Sequence, residues 1–163
     1  MAHHDSLRWG VAGAAAAVWC GSFACLHLFW ALGGSIGLAS SAGRDLAERR
    51  PASFVILGLY GIALLLVVGI LTIAVTQSPR AARRLRRAAT VLLAVVGVVL
   101  LLRGLVLELL LATNTTGLQA NAGPLETHWS LVLWNPWFGL GGMLFIATAI
   151  RAGRSGLVRT LSQ

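Results

Sequence analysis

Four long apolar stretches, almost free of charge, alternate with short arginine-bearing connectors. No water-soluble fold of 163 residues hides that much apolar surface. Only 11% of the residues are charged and 57% are hydrophobic, whereas a soluble domain carries about 25% charged residues. The excess must face lipid. A bilayer core about 30 Å thick takes roughly 20 residues of helix, and each stretch supplies that length. The pattern predicts an all-α integral membrane bundle of four transmembrane helices, with spans at about 11–32, 52–77, 88–112 and 131–150. It forms a single transmembrane domain over 1–163, and 151–163 is a short polar tail.

The boundaries follow from local signals. No charge occurs between Trp9 and Gly43, and Gly33, Gly34, Ser35 and Gly37 end or loosen the first span. That run is too long for the apolar region of a signal peptide, and the N-terminal polar segment (His3, His4, Asp5, Arg8) is weak, so a retained helix is expected. Pro51 opens the second span, and Gln77-Ser78-Pro79 closes it. The fourth span begins through Trp134-Asn135-Pro136-Trp137. Gly33 with Gly37, and Gly139 with Gly142, supply small surfaces for close packing within the bundle. Cys20 and Cys25 stand five apart on one helix, about 140° from each other. They cannot pair without breaking it, and they read as small buried hydrophobes.

All 13 basic residues are arginine, and the formal net charge is +8. In a soluble protein that balance would suggest nucleic acid. Here the arginines flank apolar spans, where they set topology and meet anionic head groups; no nucleic-acid partner is expected. Arg8, the connector arginines 80, 83, 84, 86 and 87, and the tail arginines 151, 154 and 159 fall on one side. Arg44, Arg49 and Arg50 fall on the other, partly offset by Asp45 and Glu48. Nine against three predicts a multi-pass cell-membrane protein with both termini cytoplasmic.

That topology gathers the scattered polar residues. His27 and Trp30 lie in the outer half of span one, and Arg103 and Glu108 in the outer half of span three. His128, Trp129, Trp134, Asn135 and Trp137 stand at the outer start of span four, with Glu126 in the loop before it. A charge in hydrocarbon costs a few kcal/mol and faces protein or a watery cavity. Cys20, Phe23, Ala24, His27, Trp30, Ala31 and Gly34 form one helical stripe, and Gly97, Leu101, Gly104 and Glu108 another. Gly104 leaves room for a neighbouring helix or a ligand. Arg103 is five residues from Glu108, too far round the helix for an ordinary pair; it pairs across helices, snorkels, or lies over a tryptophan ring.

Two readings result. In one, an amphipathic outer-leaflet pocket uses Glu108 and His27 as catalytic acid and base, with Trp30, Arg103, His128, Trp134, Asn135 and Trp137 as binding residues. In the other, the same groups are an interhelical hydrogen-bond cluster with a tryptophan belt. His27 and His128 would suit axial haem ligation, and Glu108 or Glu126 could complete a metal site. The spacing matches no zinc motif, so no cofactor and no metal are expected.

The segments His27-Leu28-Phe29-Trp30-Ala31-Leu32-Gly33-Gly34 and Trp134-Asn135-Pro136-Trp137-Phe138-Gly139-Leu140-Gly141-Gly142 resemble a bacterial family of small four-span membrane proteins, DUF3995. The likeness extends over roughly residues 10 to 150. It implies the four-span topology in a bacterial inner membrane, and it places His27, Trp30, Gly33 and Gly34 in the family pattern. It carries over no catalytic role. The expected function is a membrane component that binds a lipid or a larger partner protein through the outer pocket. The alternatives are an isomerase or cyclase acting on a small apolar lipid or isoprenoid, and a small transporter or transporter subunit.

Overall fold

A computed structural model describes residues 9–114 and 117–161; His3, His4, Asp5 and Arg8 lie outside them. The described chain is helical, with no strand. Helix α1 (Val11–Ala31) leads into two short helices, α2 (Leu38–Ala42) and α3 (Arg44–Arg49). A π-helical stretch, Phe54–Tyr60, runs into α4 (Gly61–Gln77). Helix α5 (Arg83–Thr113) is followed by α6 (Leu118–Trp129), a second π-helical stretch at Ser130–Trp134, and α7 (Asn135–Leu161). Four segments are long and apolar enough to cross a membrane: Val11–Ala31, Phe54–Gln77, Arg83–Thr113 and Ala122–Arg154. By length and composition the chain is a multi-pass membrane protein.

The four spans run up and down. The Gly10 N–H donates to Gln77 Oε1 at 2.7 Å, tying the start of α1 to the end of α4. Helices α5 and α7 are antiparallel, with Gly97 against Ile146 and Gly104 against Asn135. One end of the bundle therefore carries the first and third connectors; we call it the connector end. The other, the arginine end, carries the α4–α5 turn with Arg80, Arg83, Arg84, Arg86 and Arg87, and the end of α7.

Helices α1 and α4 also pack together, with Gly69 against Cys20 Sγ, but two other interfaces position the site. The first is a glycine seam between α5 and α7. A Cβ on Gly142 would lie 2.6 Å from Leu101 N and 2.7 Å from Gly97 O, and one on Gly104 would lie 2.8 Å from Asn135 O. Only hydrogen at these positions lets the backbones approach so closely. The room left by Gly104 is thus taken by a neighbouring helix. The second interface is aromatic. Trp19, Phe23 and Trp30 of α1 pack with Trp134 and Phe145. Their rings meet at offset or edge-on angles, such as Trp30 on Trp134 at 5.9 Å and 66°, the geometry that ring quadrupoles favour.

Several expectations are corrected. Gly33 (φ 109°) and Gly37 (φ 77°) have left-handed backbones, so they turn the chain after α1 and do not serve as packing surfaces. Cys25 is exposed, while Cys20 is buried; the 140° offset that prevents pairing also turns Cys25 away from the buried stripe. Glu126 lies in α6, not in a loop. Gly123 (φ 80°, ψ 164°) breaks that helix, and Pro124 restarts it, a first-turn position that tolerates the missing N–H. The π-helical stretch at Ser130–Trp134 ends two residues before Pro136. A proline cannot donate to the carbonyl four residues back and its ring crowds it; widening the preceding turn relieves that conflict. Helix α7 then continues through the arginine-bearing segment after Ile150.

Candidate functional site at the connector end

The stripe Gly97-Leu101-Gly104-Glu108 faces α7, and this decides where Glu108 goes. Its carboxylate meets Asn135: Asn135 Nδ2 donates to Glu108 Oε2 at 3.2 Å. Asn135 is buried at 3% exposure, and Glu108 is half-buried. A hydrogen bond to a charged acceptor is worth about 1.5–3 kcal/mol. Arg103 crosses the same seam about 7.5 Å nearer the membrane centre. Its Cζ sits 3.7 Å from the centroid of the Phe138 ring. The sequence suggested a tryptophan ring as one possible seat; the ring is Phe138, one helical turn from Asn135. Arg103 itself is exposed on the outer surface of α5. Two cross-links, Glu108–Asn135 and Arg103–Phe138, thus straddle the glycine contact at Gly104.

His27 lies on another face of the cluster. Its Nδ1 is 2.9 Å from Phe23 O. A carbonyl only accepts, so Nδ1 carries the proton and Nε2 is left as the acceptor. The ring stands edge-on to Phe23 at 4.5 Å and to Trp30 at 5.2 Å. Among the described residues no hydrogen bond or ion pair joins His27 to Glu108. Trp30 and Trp134 are buried, at 1% and 8% exposure. Trp137 is half-buried and stacks on Trp19 at 5.7 Å. The Trp137 carbonyl accepts from Trp19 Nε1, while its own indole N–H is buried with no hydrogen-bond partner among the described residues. His128 is exposed, with its ring on Trp129. No three His, Cys, Asp or Glu side chains among the described residues form a group that could hold a metal.

The first connector closes over this end. Trp30 Nε1 donates to Ile36 O at 2.8 Å, and Trp134 Nε1 donates to Ser40 O at 3.1 Å. Arg50 adds a clamp. Its guanidinium donates to Trp30 O at 3.1 Å and also to Gly34 O. The Trp30 carbonyl lies in the last turn of α1, where a cation is favoured, and Gly34 lies in the turn just after it. Arg49, its neighbour, makes an exposed ion pair with Asp45 at 2.7 Å, a contact worth little. Sequence reasoning placed both arginines in one orientation count and missed the clamp. Nothing local separates them: the clamp depends on where the connector returns to α1, and Arg50 stands there with a left-handed backbone (φ 42°). Phe138 was also missed, although its i+3 spacing from Asn135 puts it on the same helical face.

No curated protein and no solved structure matches this chain. A family model does. The model described as a protein of unknown function, DUF3995, matches residues 20–145, a stretch that takes in α1 from Cys20, the clamped connector, the glycine seam and the polar pair, and the chain belongs to that family.

Proposed function

We propose that this four-span membrane protein binds an amphiphilic lipid at the α5–α7 seam of its connector end. The carrying observation is Arg103. It is an exposed guanidinium on a membrane-spanning helix, resting on the Phe138 ring with no carboxylate within ion-pair distance among the described residues. A bare charge facing hydrocarbon is costly. A lipid head group drawn to this level would offset it, with the half-buried Glu108 carboxylate, held by Asn135, offering an acceptor about one and a half turns above. The aromatic cluster behind the seam supplies a rigid apolar wall. We further propose that the protein lies in a bacterial inner membrane with the arginine end cytoplasmic, so that this site opens to the outer leaflet.

The test is the lipid extract of purified wild type against Arg103→Gln and Glu108→Gln. A species enriched over bulk lipid and lost about tenfold in Arg103→Gln, with thermal stability kept, is the expected result. Co-purification of a larger membrane protein that Arg103→Gln releases would replace the lipid by a protein partner. Falling stability without any enriched species would reduce the seam to a structural cross-link. The proton-transfer reading needs Glu108 and His27 to converge on one substrate atom, and no observation favours it.

A further inference from the structure

The site at the connector end holds two opposite charges, and they do not answer each other. Arg103 and Glu108 stand five residues apart on α5, about 140° round the helix. Helix α7 fixes each one separately. The guanidinium rests on the Phe138 ring, and the carboxylate takes the Asn135 amide on Oε2. Those anchors are three residues apart on α7, about 4.5 Å along its axis. No ion pair joins the two groups among the described residues.

No other side chain neutralises them. Arg49 is paired with Asp45, and Arg50 is turned to the carbonyls of α1. Arg44 and His128 are exposed and reach no carboxylate among the described residues. Residues 115 and 116 are threonines, and the described chain begins and ends at the arginine end. Glu108 Oε1 has no donor among the described residues, and it is not shut off from the surface. The site therefore offers one free cation and one free carboxylate oxygen.

Their order along the membrane is the informative part. Arg103 lies nearer the membrane centre and Glu108 nearer the connector end. A phospholipid in that leaflet carries its acyl chains deepest, then its phosphate, then the rest of its head group. In phosphatidylethanolamine the outermost group is a primary ammonium. Its two-carbon bridge, at about 1.5 Å per bond, puts nitrogen about 5 Å from phosphorus, close to the rise between the two anchors. The planar guanidinium suits phosphate oxygens, and a primary ammonium has three N–H donors for a carboxylate. Choline carries methyl groups in place of those donors. A glycerol head group brings no positive charge, and it leaves Glu108 facing a phosphate of its own sign.

We propose, on the basis of the lipid reading of this site, that it selects a phosphoethanolamine head group, with phosphate on Arg103 and ammonium on Glu108 Oε1. Arg103 supplies the affinity for a phospholipid and Glu108 supplies the choice among them.

The test is native mass spectrometry of the full chain, released from micelles holding equal amounts of phosphatidylethanolamine, phosphatidylglycerol and phosphatidylcholine. Wild type retains phosphatidylethanolamine over each of the others by about tenfold, a measurement that needs no variant. Glu108→Gln, whose side-chain oxygen still accepts from Asn135, keeps a bound lipid and loses the preference. Arg103→Gln loses all three lipids. A thermal melt confirms that each variant folds. A wild type that retains lipid without preference, or favours phosphatidylglycerol, would overturn the head-group assignment and leave the lipid site standing. So would a preference unchanged in Glu108→Gln. Displacement of the lipid by an equal concentration of free phosphoethanolamine would overturn it in favour of a soluble ligand. A wild type that retains no lipid would overturn both readings.

Discussion

The first two spans are neighbours of similar length, yet they are used in opposite ways. Helix α1 buries 39% of its most apolar window inside the protein, whereas Phe54–Gln77 buries 11%. The second span is the more apolar of the two. In water the greasier helix would be the more buried. In a bilayer lipid tails are as apolar as leucine, so apolarity does not drive a helix inward. What α1 buries is shape and polarity: Trp19, Phe23, His27 and Trp30, with Gly13, Ala16, Cys20 and Ala24 leaving room between them. What the second span shows to lipid is a plain aliphatic surface, including Leu64, Leu65, Val67, Val68 and Leu71.

Substitutions can break this contrast or sharpen it. The largest loss is expected from Trp30→Ala, which removes a side chain at 1% exposure and its bond to Ile36 O. By analogy with buried aromatic truncations it costs about 3–5 kcal/mol, read as a fall in the thermal midpoint in detergent. Next comes Gly142→Leu. The added Cβ would meet the backbone of α5 at 2.6 Å, and overpacking of this kind costs about 1–3 kcal/mol or more; reversible unfolding in mixed micelles would measure it. Arg50→Gln withdraws a cation from the end of α1 and is expected to cost about 1–2 kcal/mol. Its more direct signature is faster proteolysis within residues 33–50, while Arg49→Gln, losing only an exposed pair, leaves that rate unchanged. The smallest effect belongs to Leu64→Ala, a lipid-facing truncation expected to stay within about 0.5 kcal/mol. If Leu64→Ala matched Trp30→Ala in cost, the two helices would not differ as described, and α4 would have to contact protein on its exposed face.

The spans were legible because a lipid-facing helix has to be apolar nearly all round, and such runs stand out in any sequence. The seam was legible for a different reason: Gly97, Gly104 and Glu108 recur at helical spacing, so their common face follows from the backbone alone. The convergence of His27 and Glu108 did not follow in the same way. Depth along a helix can be counted from residue numbers, but the angle at which one helix meets another depends on packing. His27 turned to the carbonyl of its own helix, and Glu108 to Asn135. The connector was least legible. Its order depends on Ile36 and Ser40 carbonyls meeting indoles on two helices, and no periodicity encodes such a bond.

The Trp134–Ser40 bond spans 94 residues of chain, and that separation matters at the ribosome. The loop containing Ser40 is made early and reaches the membrane surface while the last helix is still being translated. Until that helix inserts, the loop's latch has nothing to catch. The nascent protein must therefore wait, with its opening hairpin in place and its roof ajar, for the final span to shut it.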